Sequence, residues 1–170
     1  MTQRPKNLAD RSLKRQVEAI ARKRLAAQDI VDLAEFRSFK KESHQPTVLV
    51  VDDEEMMRNA LKRILEANDY KVITTEDAMG LTKLLDTAHF DLILLDINLP
   101  WVSGLELCAM LKGHPSIKHV PVILVSGRKT KEDVEKAFAA GCDDFIGKPF
   151  EIETILSVVS KSLEKMEEAK

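Results

Sequence analysis

The fold of this chain of 170 residues is constrained above all by an alternation between short apolar runs and longer stretches with helical periodicity. Three of the apolar runs, at residues 47–51, 92–95 and 120–125, consist almost entirely of aliphatic residues. An unbroken run of this kind is typical of a strand that is buried on both faces, as in a parallel sheet. Weaker runs at residues 71–74 and 144–146 bring the predicted strands to five.

The segment after each predicted strand has apolar residues at the spacing of an amphipathic helix. The five stripes are Met57, Ala60, Leu61, Ile64 and Leu65; Ala78, Leu81, Leu85 and Ala88; Leu107, Cys108 and Leu111; Val134, Ala137, Phe138 and Gly141; and Ile152, Ile155, Leu156, Val159 and Leu163. A strand followed by a helix, five times in succession, predicts an α/β fold with a five-stranded parallel sheet. This sheet would be doubly wound, as in flavodoxin-like (βα)5 folds, with helices on both faces.

The distribution of charge divides the chain into two parts. Residues 1–45 carry 11 basic and 6 acidic side chains, whereas residues 46–170 carry 15 and 22. Residues 8–39 contain no Gly or Pro and are rich in strong helix formers, which predicts one long helix. The polar residues 40–46 end in Pro46 and predict a linker. We therefore expect a basic helical N-terminal extension with its linker over residues 1–45 and a folded domain over residues 46–170.

The role of the N-terminal extension stays open between four possibilities. An apolar stripe over residues 13–34, interrupted by Arg24, favours a short coiled-coil seam and a homodimer. Docking of Phe36 and Phe39 on the folded domain, binding of the basic residues 22–24 to an anionic surface, and a solvated helix without a partner are the alternatives. Nucleic acid and membrane binding are disfavoured, because no aromatic residues are interleaved with the basic cluster.

The location of the protein is predicted from what the sequence does not contain. Residues 1–6 are polar and no apolar core follows them, which argues against a secretory signal peptide. No apolar run approaches the roughly 20 residues of a membrane-spanning helix. Cys108 and Cys142 have neither the number nor the spacing of a disulfide framework or a metal site. We therefore expect a cytoplasmic protein.

Polar residues follow four of the predicted strands. Asp52 and Asp53 follow the first, Asp96 the third, Ser126 the fourth and Lys148 the fifth. In parallel α/β sheets the carboxyl ends of the strands lie at one edge, where ligands bind. Three carboxylates at one edge repel each other unless a hard divalent cation such as Mg²⁺ lies among them.

The same residue types suggest a reaction. A lysine and a hydroxyl can bind the oxygens of a phosphoryl group. A carboxylate beside Mg²⁺ can act as a nucleophile toward phosphorus. The residues alone therefore predict an acyl-phosphate site at Asp96, with Asp52 and Asp53 assisting through the metal.

Four segments of the sequence resemble the motifs of response-regulator receiver domains. They are VLVVDDE at residues 48–54, LILLDINLP at residues 92–100 with Gly104, VILVSG at residues 122–127, and AAGCDDFIGKPF at residues 139–150. Each motif is weak alone, but together and in order they are highly specific. The resemblance covers about residues 46–168.

The resemblance implies a role for each matching residue. Asp96 would be the phosphoacceptor, Asp53 the direct Mg²⁺ ligand, and Asp52 an acid that acts mostly through water. The backbone carbonyl of Asn98 would complete the metal ligands. Lys148 would contact the phosphoryl group.

The resemblance also implies a conformational switch. Ser126 would be the switch hydroxyl, Phe145 the switch aromatic, and Pro149 the cis proline of the adjoining turn. Phe145 stands where tyrosine is frequent, and Ser126 where threonine is common. Asn98 and Arg128 occupy positions that tune the lifetime of the phosphoryl group in this family. Trp101, after Asp96, is interpreted either as a contact for a partner protein or as a partly exposed side chain that shields Pro100.

Receivers of this kind take a phosphoryl group from a histidine kinase or phosphotransfer protein, or from small phosphodonors, and hydrolyse their own aspartyl phosphate. Otherwise we expect no enzymatic activity.

We expect output through a downstream target protein or a homodimer, by the face of the fourth helix, fifth strand and fifth helix or by the extension. We expect no output domain after residue 168, and therefore output by protein contact. A receiver fragment of a longer regulator and an unphosphorylated scaffold are the alternatives. A phosphatase of the haloacid dehalogenase type is less favoured because Asn98 stands where it needs a second acid. A flavin-binding module is also less favoured. It would need a phosphate-binding loop rich in Ser, Thr and Gly after the first strand, where Asp52 and Asp53 would repel a phosphate.

Overall fold

The computed structural model of the protein describes residues 45–169 and the helical residue Ala19. The predicted helix over residues 8–39, with its possible roles, lies otherwise outside the described residues. From Gln45 onward the chain forms one compact unit. Strands and helices alternate in the order β1 (Thr47–Val51), α1 (Glu55–Glu66), β2 (Lys71–Thr75), α2 (Ala78–Thr87), β3 (Leu92–Asp96), α3 (Gly104–Gly113), β4 (Val122–Ser126), α4 (Lys131–Ala139), β5 (Asp144–Gly147) and α5 (Ile152–Glu168).

The five strands form one parallel sheet in the order β2-β1-β3-β4-β5. All four neighbouring pairs of strands are parallel. The predicted doubly wound α/β fold is therefore confirmed. Within residues 45–169, none of the helices combines the length and the apolar character that a bilayer crossing requires.

Each face of the sheet has its own apolar core because successive side chains of a strand point to opposite faces. In β1, Val48 and Val50 pack in one cluster with the α1 residue Leu61 and with residues of α5. Leu49 and Val51 pack in the other cluster, with residues of α2, α3 and α4. The central strands are therefore covered on both faces, as their unbroken apolar sequences predict.

Apart from strands that end one residue later than predicted, three details differ from the sequence prediction. Strand β4 begins at Val122 rather than at residue 120, since Pro121 has no N–H to donate to a neighbouring strand. The Pro121 carbonyl still accepts a hydrogen bond of 2.9 Å from the N–H of Ile93. Phe138 and Ile152, predicted in the apolar stripes, are 49% and 51% exposed, and both lie in terminal turns of their helices.

The start of α3 is fixed against the end of β3. Ser103 and Glu106 form a capping box. The Ser103 side chain accepts a hydrogen bond from the backbone N–H of Glu106, and the Glu106 side chain accepts one from the backbone N–H of Ser103. The N–H of Gly104 donates to the carbonyl of Ile97 at 2.8 Å. A Cβ atom at Gly104 would lie 2.2 Å from the backbone oxygen of Asp96, so only glycine allows this approach.

Candidate functional site

Three carboxylates lie together at the carboxyl edge of the sheet. One oxygen atom from each of Asp52, Asp53 and Asp96 lies within 4.8 Å of the other two. The register explains this, since Val51 of β1 is paired with Leu95 of β3 and the next residues are Asp52 and Asp96. Asp52 is 2% exposed and Asp96 is 4% exposed, whereas Asp53 is exposed to solvent.

Lys148 links the two buried carboxylates from the loop after β5. Its Nζ atom donates to Oδ2 of Asp52 and to Oδ1 of Asp96, both at 2.9 Å. Burial lowers the pKa of Lys148, but the hydrogen bonds and charges of the two carboxylates outweigh it, and the pKa is raised overall. The backbone N–H of Lys148 donates to the carbonyl of Ser126, and the peptide bond to Pro149 is cis.

Burial of the Asp96 carboxylate outweighs the stabilising contact with Lys148. Burial raises the pKa of Asp96, the hydrogen bond and charge of Lys148 oppose this rise, and the charge of Asp52 adds to it. The pKa of Asp96 is raised overall despite its contact with a lysine. A carboxylate in this position is stabilised by additional positive charge nearby.

The donor set fits a hard divalent cation. All three clustered groups offer carboxylate oxygens, which Mg²⁺ prefers, and they lie close enough together to share one ion. Two of them are oriented by the backbone: the N–H of Glu54 donates to Oδ1 of Asp52 at 2.8 Å, and the N–H of Asn98 to Oδ2 of Asp96 at 2.9 Å. These hydrogen bonds fix the orientation of the two carboxylates, as the contacts around metal ligands do.

A cleft of about 710 Å³ lies beside the carboxylates. Its walls include Asp53, Asn98, Ser126, Arg128 and Trp101. The Trp101 side chain is fully exposed, so the interpretation of a partly exposed side chain that shields Pro100 is wrong. Its φ angle of 72° is rare for a residue other than glycine.

The two residues predicted to form a switch occupy different depths. Ser126 is 1% exposed, and its Oγ accepts a 3.0 Å hydrogen bond from the N–H of Arg128. Phe145 pairs in register with Leu124, two residues before β5 ends, and packs against the core on the α2–α4 side. The structure therefore brings Ser126 to the cleft, whereas Phe145 is half-buried in the layer beneath it.

Arg58 of α1 contacts the acidic cluster, although the sequence analysis did not select it. Its Nη1 atom donates to the backbone carbonyl of Asp52 at 2.7 Å, and its Nη2 atom lies 3.9 Å from the Glu76 carboxylate. The sequence signal was weak, because a basic residue in an amphipathic helix ordinarily faces solvent. Its place one turn after the paired aspartates was the available indication.

A doubly wound sheet with an acidic cluster at its carboxyl edge is the architecture of a receiver-type signalling domain. A family model described as "Response regulator receiver domain" matches residues 48–160. The "Polar-differentiation response regulator DivK" of Brucella ovis is 34% identical over 117 residues, covering 69% of this chain and 95% of that protein. The chain belongs to the response-regulator receiver domain family of two-component signalling.

Solved structures of receiver domains have the same fold. A CheY-like response regulator receiver domain protein from Methanospirillum hungatei matches with a TM-score of 0.68 and 28% identity, covering 75% of this chain and 100% of that one. The signal receiver domain of a histidine kinase from Syntrophus aciditrophicus matches with a TM-score of 0.66 and 32% identity, covering 71% of this chain and 91% of that one.

Proposed function

We propose that the protein accepts a phosphoryl group on Asp96 from a histidine kinase or phosphotransfer protein, in the presence of Mg²⁺, and signals by protein–protein contact. The main support is the position of Asp96, which is buried at the end of a central strand. Lys148 holds it at 2.9 Å, and two further carboxylates and a cleft lie beside it. Family membership makes a histidine kinase or phosphotransfer protein the general class of donor.

The chemistry is a transfer between two nucleophiles. An oxygen of the Asp96 carboxylate forms a bond to the donor phosphorus, and the bond from phosphorus to the donor imidazole nitrogen breaks with its electron pair. Asp52, Asp53, Asp96 and the backbone carbonyl of Asn98 would hold Mg²⁺, which would offset the charge of the carboxylates and of the phosphoryl oxygens. Lys148 would keep a positive charge beside the new phosphate, since its pKa is raised.

The response is a shift between two conformations. The Ser126 hydroxyl accepts from the N–H of Arg128 and would turn its own O–H toward a phosphoryl oxygen on Asp96. The half-buried Phe145 would follow, because β5 pairs directly with β4, which ends in Ser126. This shift would change the surface formed by α4, β5 and α5. That surface would then bind a target protein or a second copy of the chain.

The proposed division of the chain is a receiver domain over residues 46–170 and an N-terminal extension over residues 1–45. The proposed location is cytoplasmic, where histidine kinases present their phosphorylated residues. Catalysis beyond self-phosphorylation and autodephosphorylation is not part of the proposal. An unphosphorylated scaffold is the second candidate, supported by the exposed Trp101 beside the site as a protein contact.

The deciding experiment is native mass spectrometry of the full chain with Mg²⁺, before and after treatment with acetyl phosphate. The proposal predicts one phosphoryl adduct on the wild-type protein and none on Asp96→Asn, with Asp86→Asn on the exposed face of α2 as the matched control. A doubled mass with the adduct would place output in dimerisation. Normal labelling of Asp96→Asn would refute the assignment of the acceptor. The absence of an adduct from acetyl phosphate and from a panel of phosphorylated histidine kinases would favour the scaffold.

A further inference from the structure

We propose that Arg58 is a positioning residue that sets the Mg²⁺ affinity of the acidic cluster by holding the peptide between Asp52 and Asp53. The inference rests on the proposed function, because it assumes that these acids bind Mg²⁺. It assigns a role to a residue of α1 that is neither a ligand nor a phosphate contact. The observations that support it are the contacts of the Arg58 side chain.

Arg58 supplies a hydrogen bond where the sheet stops. The last register pair between β1 and β2 joins Val51 to Thr75. The N–H of Asp52 still donates to the carbonyl of Thr75 at 3.2 Å, but the Asp52 carbonyl lies beyond the end of β2. The Nη1 atom of Arg58 donates to that carbonyl at 2.7 Å.

The bonded carbonyl belongs to the peptide that joins two of the clustered acids. Its orientation fixes the direction in which the chain leaves Asp52, and therefore where the Asp53 side chain begins. The Arg58 side chain is only 15% exposed, so its donor group is held in one place. The backbone N–H of Arg58 also donates to the carbonyl of Glu54 at 3.0 Å, which ties the first turn of α1 to the same loop.

The second contact of Arg58 is weaker. Its Nη2 atom lies 3.9 Å from an oxygen of Glu76, whose side chain is 72% exposed. Ion pairs in such exposed positions contribute little to stability. The hydrogen bond to the Asp52 carbonyl is therefore the contact that should matter, and Glu76 provides a control.

Two effects of Arg58 on a metal ion have opposite signs. A guanidinium charge near the cluster repels a cation, so its removal would tighten Mg²⁺ binding if charge decided the affinity. A hydrogen bond that orients the ligand-bearing peptide favours binding, and the loss of such supporting contacts typically weakens metal affinity 10- to 100-fold. We expect positioning to prevail, because the guanidinium donates at 2.7 Å to the carbonyl of the peptide that joins Asp52 and Asp53.

The test is calorimetric titration of the metal-free full chain with MgCl₂. Arg58→Met keeps the length of the largely buried stem but loses the charge and the donors. We expect about tenfold weaker Mg²⁺ binding for Arg58→Met. Arg58→Lys retains one charged donor and should recover part of the lost affinity. Arg63→Met, an exposed arginine of the same helix, and Glu76→Gln should bind Mg²⁺ like the wild type.

The outcomes separate this inference from the proposed function. Unchanged or tighter Mg²⁺ binding by Arg58→Met would overturn the positioning role, and so would a lowered melting temperature with wild-type affinity, which indicates a brace of the fold alone. A wild-type protein that does not bind Mg²⁺ would overturn the proposed function and the inference together. Should Arg58→Met not fold, Arg58→Gln takes its place, because the shorter and uncharged side chain cannot reach the Asp52 carbonyl in the same way. Wild-type Mg²⁺ affinity and a wild-type Asp53 amide shift in metal-free Arg58→Gln would refute the role.

Discussion

Carboxylates lie at both edges of the sheet, but their contacts differ. At the amino edge, Asp91 accepts a hydrogen bond of 2.8 Å from the N–H of Thr47, the first residue of β1. Asp143 accepts from the N–H of Val122, the first residue of β4, and from Nζ of Lys112, both at 2.8 Å. Each of these carboxylates ties a strand to the chain beside it.

At the carboxyl edge, the carboxylates of Asp52, Asp53 and Asp96 are gathered instead of distributed. Lys148 is shared between two of them, and the pKa of Asp96 is raised nonetheless. Gathering like charges in this way lowers folding stability. Proteins tolerate such a cost mainly where the cluster has a function. The acids at the amino edge therefore hold strands to their neighbours, whereas the acids at the carboxyl edge form a cluster whose oxygens fit a hard divalent cation.

The largest effect is expected from the removal of the lysine at the carboxyl edge. Lys148→Met leaves two buried carboxylates without their shared partner and should destabilise the metal-free protein by about 3 kcal/mol. Urea unfolding would measure this loss, and Mg²⁺ should restore a part of it by supplying positive charge. Lys118→Met, at an exposed position, is the control. A loss that Mg²⁺ does not change would remove the electrostatic distinction between the edges.

A smaller, metal-independent loss is expected at the amino edge. Asp91→Ala removes a buried carboxylate that accepts from the N–H of Thr47 and should cost about 2 kcal/mol. Urea unfolding with and without Mg²⁺ should give the same loss, because the proposed cation site is at the opposite edge. If Mg²⁺ reduced the cost of Asp91→Ala, the two edges would be coupled and the comparison would have to be abandoned.

The next effect in size concerns the exposed member of the cluster. Asp53→Asn should change the stability of the metal-free protein by less than about 0.5 kcal/mol, because the side chain is exposed. The wild type should gain about 1.4 kcal/mol at a Mg²⁺ concentration about ten times the dissociation constant, and Asp53→Asn should lose this gain. Thermal unfolding across a Mg²⁺ series tests it, with Asp86→Asn keeping the gain. A full gain in Asp53→Asn would exclude this residue as a ligand.

The smallest effect is expected in the reactivity of two thiols near the Lys112–Asp143 ion pair. Burial raises the pKa of Cys108 to about 11 and that of Cys142 to about 12. At pH 8 both thiols are therefore protonated, and iodoacetamide should label the folded protein slowly. Asp143→Ala loosens the amino edge and should speed labelling several-fold, whereas Mg²⁺ should not. If Mg²⁺ slowed labelling by the same factor by which Asp143→Ala speeds it, the two edges of the sheet would be opening together.

Much of this architecture follows from local sequence. The paired aspartates and Asp96 lie at the ends of unbroken aliphatic strands, so a parallel sheet already gathers them at one edge. The helix stripes also predict the buried residues in the middle of each helix, such as Val159 of α5. These features depend on neighbours in sequence and on the periodicity of strands and helices.

Other features depend on contacts that spacing does not encode. Lys148 reaches Asp52 across 96 positions of the chain, and the hydrogen bonds to both carboxylates follow from the folded sheet. Arg58 has a long side chain whose direction a helical pattern does not fix, so its bond to the Asp52 carbonyl could not be predicted. The exposure of Phe138 and Ile152 follows from their places in terminal helical turns, where periodicity alone does not show what covers a side chain.

The conformation of the loop after β3 gives the protein its own optical reporter. The sequence contains one tryptophan, and Trp101 presents its whole side chain to solvent on a wall of the cleft that also includes Asp53 and Ser126. Indole emission from this protein therefore originates at one point next to the acidic cluster. The wavelength and intensity of this fluorescence can therefore report binding in the cleft as it occurs, in the native sequence and without an attached dye.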